Sequence, residues 1–362
     1  TRAHPRDRAD IAAVLSNQQT RRSAPPEAIA AARLLADEHA VAIVTGQQAG
    51  LFGGPLYTLF KALTAIQLAE RVTREHSVPA IAVFWIEAED HDWDEVRECT
   101  VFDEALVPTS VGLPARPASE SSPVASVVLP ESIAEVIGQL GQILPASEFT
   151  PALLDALRDA YQPGRPMSEA FARWLEHVLG ALGLVVYDAS DPASKAIARR
   201  VFIRELSTPG QTSTLAARAG QQLVDQGYHA QVKVQEDSLA LFHLDGGRRT
   251  IKLAGGELLV GEQRMTLDAL AREAEMRPGQ FSPNVLLRPI VQDTLFPTIC
   301  YVAGPSELAY LGQLRGVYEH FGVPMPLLYP RATATVVDAA ALRFLNRSGM
   351  AIEALHVQDD SA

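Results

Sequence analysis

Two short, almost wholly apolar runs, Val41-Ala42-Ile43-Val44-Thr45 and Ala80-Ile81-Ala82-Val83-Phe84-Trp85-Ile86, bracket a stretch of helical spacing, and this pattern constrains the fold most. A strand that is apolar on both faces must be covered on both, as in a parallel sheet lined by helices. Between the runs, Leu59, Leu63, Ile66 and Val72 recur at near-helical intervals over 56–75, with neither Gly nor Pro before Pro79. The pattern predicts a right-handed βαβ unit. Its first turn reads Gly46-Gln47-Gln48-Ala49-Gly50-Leu51-Phe52-Gly53-Gly54-Pro55. Glycines let a backbone approach a ligand closely, and the N–H groups opening the next helix favour an anion. The spacing matches neither the dinucleotide fingerprint nor the Walker A loop, and a plain tight connection also explains it. Adjacent glutamines favour a polar site, so Gly46, Gln47, Gln48, Gly53 and Gly54 are binding candidates. Tyr57 and Lys61, one helical turn apart, join them from one helix face, although both also suit an ordinary surface.

The second apolar run leads directly into Glu87-Ala88-Glu89-Asp90-His91-Asp92-Trp93-Asp94-Glu95. Open parallel sheets bind ligands beyond the carboxyl ends of their strands, which is where this segment lies. Glu89, Asp90, His91 and Asp92 are therefore the catalytic candidates, expected in a partly shielded pocket. Carboxylates beside an imidazole can bind an ammonium, accept an amine proton or hold Mg²⁺; a solvated acidic face is the competing reading. A third group comprises Arg288, Gln292 and Asp293, followed by Gly304, Glu307 and Tyr310. Arg288 offers a forked donor for carboxylate or phosphate, and Gly304-Pro305 repeats the strand, turn and helix theme. Structural roles explain these residues too, with Arg288 pairing with Asp293 and Glu307 favouring a helix dipole.

The organisation predicted from these pieces is a Rossmann-like core split by an insertion. Residues 1–107 form its first half, 108–277 a separate α/β lobe, 278–335 its second half, and 336–362 begin a further helix. A helix broken at Pro25-Pro26 opens the chain, and 108–130 read as a linker or peripheral hairpin. The middle region reads as helices over 132–144, 151–182 and 192–227, a strand over 184–188, and an antiparallel meander over 228–264. The second half has strands over 298–302 and 325–329 around a helix over 305–321. Hydrophobic residues at 47% and charged residues at 20% exclude disorder, and no apolar run approaches the ~18 residues of a membrane span. A net charge of −12 disfavours nucleic acid and anionic membranes as partners. Cys99 and Cys300, without ligand spacing, encode neither a disulfide framework nor a zinc site, so no metal centre is expected and a reducing cytoplasm fits best. A start at Thr1 without a signal-peptide pattern reads as a fragment.

Taken together, Thr45-Gly46-Gln47-Gln48, Gly50-Leu51-Phe52-Gly53-Gly54-Pro55-Leu56-Tyr57-Thr58, Phe84-Trp85-Ile86, Glu89-Asp90-His91-Asp92 and the series Arg288-Pro289, Gln292-Asp293, Gly304-Pro305, Glu307 and Tyr310 resemble the cysteine-ligase family of bacillithiol biosynthesis, BshC. The match runs from about Val41 to Arg331. The resemblance implies a ligase that joins L-cysteine to the amino group of glucosaminyl-malate, with ATP activating the carboxyl and Mg²⁺ accompanying the nucleotide. It implies a core arranged like class I aminoacyl-tRNA synthetases, a connecting-peptide insertion, and a C-terminal helical coiled-coil arm through which full-length homologues form homodimers. The turn at 46–55 lacks the histidine of the synthetase HIGH sequence, and no KMSKS counterpart follows, so the adenylation residues do not carry over. A metal-dependent hydrolase built on residues 87–95 and a non-catalytic nucleotide or sugar-ligand binding protein are the alternatives.

Overall fold

The computed structural model describes residues 4–116, 122–235, 237–245 and 247–356. Five parallel strands form the central sheet: β1 (Val41–Gln48), β2 (Ala80–Glu87), β3 (Val185–Asp188), β4 (Thr298–Ala303) and β5 (Leu327–Pro330). Their spatial order, β5-β4-β1-β2-β3, is the Rossmann order with its reversal between β1 and β4. The expected mixed α/β fold with a parallel, Rossmann-like core is therefore present.

Alternation along the strands divides the core into two layers. Ala42, Val44, Ile81, Val83, Trp85, Val185 and Tyr187 face one side, where helices Arg8–Arg21, Pro26–Leu34 and Pro192–Ser207 bury Ile11, Leu15, Leu35 and Phe202. Ile43, Ala82, Phe84, Ile86, Val186 and Val302 face the other, under helices Tyr57–His76 and Met167–Leu179. Burial on both sides explains why the strand sequences lack a polar face.

The middle of the chain departs from the predicted separate lobe. Strand β3 pairs with β2 from Val83↔Val185 to Ile86↔Asp188, so part of 108–277 completes the central sheet. The described residues up to Arg331 form one compact unit, and the boundary falls there. The continuous apolar character of Val185-Val186-Tyr187 is itself that of a doubly covered strand. Three long predicted helices are each two: Thr150–Ala160 and Met167–Leu179, Pro192–Ser207 and Gln211–Asp225, Pro305–Leu311 and Arg315–Phe321. Pro163-Gly164 and Pro209-Gly210 cause the first two breaks by removing a donor and reversing φ.

The meander holds strands Ser238–Leu244, Arg248–Ala254, Glu257–Val260 and Gln263–Met265, and Phe281–Pro283 adds to its edge. Residues 281–283 thus leave the half of the core assigned to them. Residues 232–234 form no strand; the Val232 backbone is bonded instead by the Gln313 side chain, which accepts from Val232 N at 3.0 Å and donates to Val232 O at 3.2 Å. A peripheral hairpin is present but lies earlier than the predicted 108–130, pairing Glu98–Phe102 with Pro108–Gly112, while Val124–Ser126 form a short helical turn and 117–121 lie outside the described residues. In the second unit, from residue 332, Asp338 caps helix Ala339–Ser348 by accepting from Ala341 N at 2.6 Å. Among the described residues no helix is long and apolar enough to cross a membrane.

Candidate functional site

The chain leaves β1 through Tyr57–His76 on one face of the sheet and leaves β4 through Pro305–Leu311 on the other. Such divergence opens a crevice at the carboxyl ends of the two strands. A cavity of about 480 Å³ occupies it, bordered by Gln47, Tyr57, Lys61, Glu307, Tyr310 and Arg331. A second, of about 430 Å³, lies between the strand ends and the meander, bordered by Asp90, Ser213, Phe242, Arg248, Thr250 and Asn284. Gln48, Glu87, Val285 and Arg288 line both, forming a shared wall.

In the crevice, the Lys61 side chain is 1% exposed, and its Nζ donates to Glu307 Oε2 at 2.6 Å and Gln47 Oε1 at 3.2 Å. Burial pushes the Lys61 ammonium below its ordinary pKa, against the opposing pull of Glu307. Glu307 also accepts from Gly304 N at 2.8 Å and Tyr301 OH at 2.9 Å. The turn after β4 is thereby closed by the same carboxylate that anchors the lysine.

Arg288 opens helix Arg288–Leu295, which starts where Asn284 Oδ1 accepts from Leu286 N and Leu287 N at 2.9 and 3.2 Å. Its guanidinium donates to Gln292 Oε1 at 3.0 Å and Tyr310 OH at 2.9 Å, and Nε lies 3.8 Å from Glu87 Oε2. Behind it, Gln292 donates to Asp293 Oδ1 at 2.9 Å and Tyr318 OH donates to Asp293 Oδ2 at 2.6 Å. Burial pushes the Asp293 carboxyl up.

Glu87 ends β2 on the shared wall, where it accepts from Trp85 Nε1 at 3.1 Å. Burial raises its pKa above the ordinary glutamate value; Arg288 opposes the shift, and Glu89 and Asp90 add to it. Asp90 accepts from Gln48 Nε2 at 2.9 Å and Arg248 Nη1 at 3.3 Å. The Arg248 guanidinium lies 4.1 Å over the Phe242 ring and donates to Pro283 O at 2.8 Å. The arrangement places a raised carboxylate, a forked cation and two cavities at one point.

A family model described as "Bacillithiol biosynthesis BshC, N-terminal Rossmann-like domain" matches residues 1–332. The chain belongs to the BshC family. Proteins named "Putative cysteine ligase BshC" are its relatives: that of Salinibacter ruber is 37% identical over 354 residues, covering 96% of this chain and 64% of that protein. Those of Chlorobaculum tepidum and Solibacter usitatus are 36% and 34% identical, with 85% and 96% of this chain covered. This BshC chain spans 55–64% of the length of these three relatives.

Of the residues singled out in this BshC sequence, Gly46, Gln47, Gln48, Tyr57, Lys61, Arg288, Gly304, Glu307 and Tyr310 all border the crevice. Gln292 and Asp293 do not: both are buried behind Arg288 and hold it. The predicted Arg288–Asp293 pairing is relayed through Gln292 for the same reason. The expected Glu89-Asp90-His91-Asp92 pocket is divided. Of the four, Asp90 alone borders either of the two large cavities. Glu89 is buried against Lys195 and accepts from Ser282 Oγ at 3.1 Å. The His91 side chain is half exposed, with Nδ1 3.4 Å from Asp90 Oδ1, and Asp92 caps helix Trp93–Val96 by accepting from Glu95 N at 3.3 Å. The chain turns as it leaves β2, so consecutive residues point in different directions. Glu87, Tyr301, Arg331 and Arg248, with Ser213, Phe242 and Thr250 of the second cavity, were not named as site residues from the sequence. Glu87 belonged to the acidic run but ends an apolar strand, and Arg248 lies in the meander, which carried no motif.

Gly53 and Gly54 have positive φ, at 96° and 68°. Gly54 borders a small recess beside Gln48 and Tyr57, whereas Gly53 faces inward, donating to Tyr161 OH at 3.0 Å. A Cβ on Gly53 would come within 2.5 Å of Trp174 Nε1. Gly53→Ala should therefore destabilise the fold by about 1–3 kcal/mol through backbone strain and steric conflict. Urea unfolding reads this effect; a wild-type midpoint accompanied by lost ligand binding would instead make Gly53 a ligand contact.

Proposed function

We propose that the two cavities bring together an activated carboxyl group of L-cysteine and the amine of glucosaminyl-malate, and that Glu87 accepts the amine proton. The observation that carries this reading is Glu87 on the wall common to both cavities, with its carboxyl raised by burial and the Arg288 Nε 3.8 Å away. A base is most useful where its pKa approaches working pH, and burial moves Glu87 in that direction. ATP supplies the activation. The phosphate-bearing end lies beside Lys61, Arg288 and Arg331, local cations in a chain of net charge −12. Mg²⁺ would be held chiefly by the nucleotide's own phosphate oxygens, which suit a hard cation. In the joining step the amine nitrogen bonds to the acyl carbon, the acyl C–O bond to the phosphate group breaks, and one amine proton passes to Glu87. An N–H of Arg288 stabilises the oxygen that gains charge.

Reduced cysteine as substrate fits a cytoplasmic protein, in keeping with the free thiols of Cys99 and Cys300. Helix Ala339–Ser348 is, in this reading, the start of the arm through which the complete protein dimerises. The hydrolase alternative finds less support: Glu89, Asp90 and Asp92 have separate partners, and among the described residues no three His, Cys, Asp or Glu side chains gather as a metal site.

The complete protein, supplied with cysteine, glucosaminyl-malate and ATP, should form their amide, detected by mass spectrometry. Its rate should fall toward low pH as Glu87 gains a proton, beginning above the range of an exposed glutamate because the folded-state pKa is raised. The substrate amine protonates as well, so the acid limb should be steeper than one proton allows. Absence of ATP-dependent product would overturn the ligase reading and favour a binding protein if ligands still bind.

A further inference from the structure

We propose that the Tyr161 hydroxyl is a positioning group for the crevice, holding the turn after β1 in the strained conformation that sets Gln47, Tyr57 and Lys61 in place. This rests on the ligation reading, in which the crevice takes the nucleotide, and adds to it a residue that touches no ligand.

Three successive residues of the turn are left-handed: Phe52, Gly53 and Gly54 have φ of 54°, 96° and 68°. Glycine enters that region freely, whereas phenylalanine resists it because its Cβ crowds the following carbonyl oxygen. Such backbone persists only where its surroundings over-determine it. Within the turn, Gly53 N and Gly54 N donate to Gly50 O and Leu51 O at 3.2 and 3.1 Å. A further hold comes from 108 residues away in the chain. Tyr161, 1% exposed at the end of helix Thr150–Ala160, accepts from Gly53 N at 3.0 Å and donates to Gly50 O at 3.2 Å. One hydroxyl thereby ties the residues on either side of Leu51 and Phe52. The Tyr161 ring packs edge-on against Phe52 with centroids 5.2 Å apart, and Trp174 packs against Gly53.

The turn joins two groups that border the crevice. β1 enters it through Gln47 and Gln48, and Pro55 and Leu56 alone separate Gly54 from Tyr57. Gln47 accepts from Lys61 Nζ at 3.2 Å, and the Arg331 guanidinium lies 5.2 Å over the Tyr57 ring. Relaxation of Phe52 to negative φ would redirect the chain just before Tyr57 and disturb both contacts. Tyr161 borders neither large cavity, so its influence passes through the turn. Glu87 and Arg288 belong to β2 and helix Arg288–Leu295, outside the turn. Burial pushes the Tyr161 phenol up, so the donated proton stays on the hydroxyl at working pH.

Tyr161→Phe in the complete protein removes the hydroxyl and keeps the ring. Amide hydrogen exchange over residues 50–54 should quicken about tenfold, the scale of one lost hydrogen bond. KM for ATP should rise about tenfold while kcat stays within about threefold, because binding contacts move and the Glu87 wall does not. The acid limb of the rate should keep its position, since the phenol does not titrate there. Unchanged exchange would overturn the inference. Faster exchange with an unchanged KM would do so as well, leaving Tyr161 a stabilising residue alone, and so would a loss confined to kcat. If the wild type forms no product, the ligation reading falls, and calorimetric titration with ATP takes the place of KM. Equal ATP affinity in the two proteins, or binding to neither, then overturns the inference. Circular dichroism checks folding, and Gly50→Ala is the second variant should Tyr161→Phe fail to fold. Gly50 has φ −74°, which alanine tolerates, but an added Cβ would lie 2.8 Å from Gly54 Cα and force the turn open with Tyr161 intact. It should raise KM for ATP in the same way; faster exchange there without a change in KM would overturn the inference.

Discussion

Glu87→Gln in the complete protein is expected to lower the turnover of cysteine ligation by ~10²–10⁴-fold, the range associated with loss of a general base. The amide keeps the side chain's size and can still accept from Trp85 Nε1, whose present distance to Glu87 Oε2 is 3.1 Å. Substrate KM values should therefore change much less than kcat. The acid limb should also become shallower, because only the substrate amine then titrates. Mass-spectrometric product assays across pH, with circular dichroism as the folding check, read all three effects. His91→Asn provides the contrast: its half-exposed side chain borders neither cavity, so near-normal turnover is expected. A large loss in His91→Asn with normal turnover in Glu87→Gln would move the base to the exposed loop and overturn the assignment.

Lys195→Met should cause the largest loss of stability, about 3–5 kcal/mol, because it strands the Glu89 carboxylate away from water. The two side chains are 5% and 6% exposed and paired, and Lys195 Nζ also donates to Phe281 O. Glu89 accepts from Ser282 Oγ, so this pair links β2's exit, helix Pro192–Ser207 and the edge of the meander. Urea unfolding should show a lower midpoint, and Lys195→Met/Glu89→Leu should recover much of the loss by removing both charges. Equal stability of wild type and Lys195→Met would show that the pair is not a structural tie.

The same pair illustrates the limits of sequence reading. Glu89 stood beside Asp90 in an acidic run suited to catalysis, yet its partner is 106 residues away. One-dimensional spacing carries no information about such a partner when the intervening chain packs as its own elements. The acidic segment therefore dispersed into a buried tie at Glu89, a cavity wall at Asp90, an exposed side chain at His91 and a helix cap at Asp92. Gln292 and Asp293 moved in the opposite sense, from candidate ligand contacts to a buried support for Arg288.

Local sequence alone determined the βαβ unit, the β1 turn and the pairing of β4 with that sheet, because doubly buried strands and helical spacing leave a direct apolar signature. It also placed most of the crevice, since a parallel sheet exposes its strand ends at a fixed position relative to each turn. Only tertiary structure decided that β3 completes the sheet, that residues 281–283 join the meander, and that Glu87 stands between two cavities. These outcomes depend on pairing between residues far apart in the chain and on desolvation by groups brought together through folding, neither of which is encoded by local periodicity.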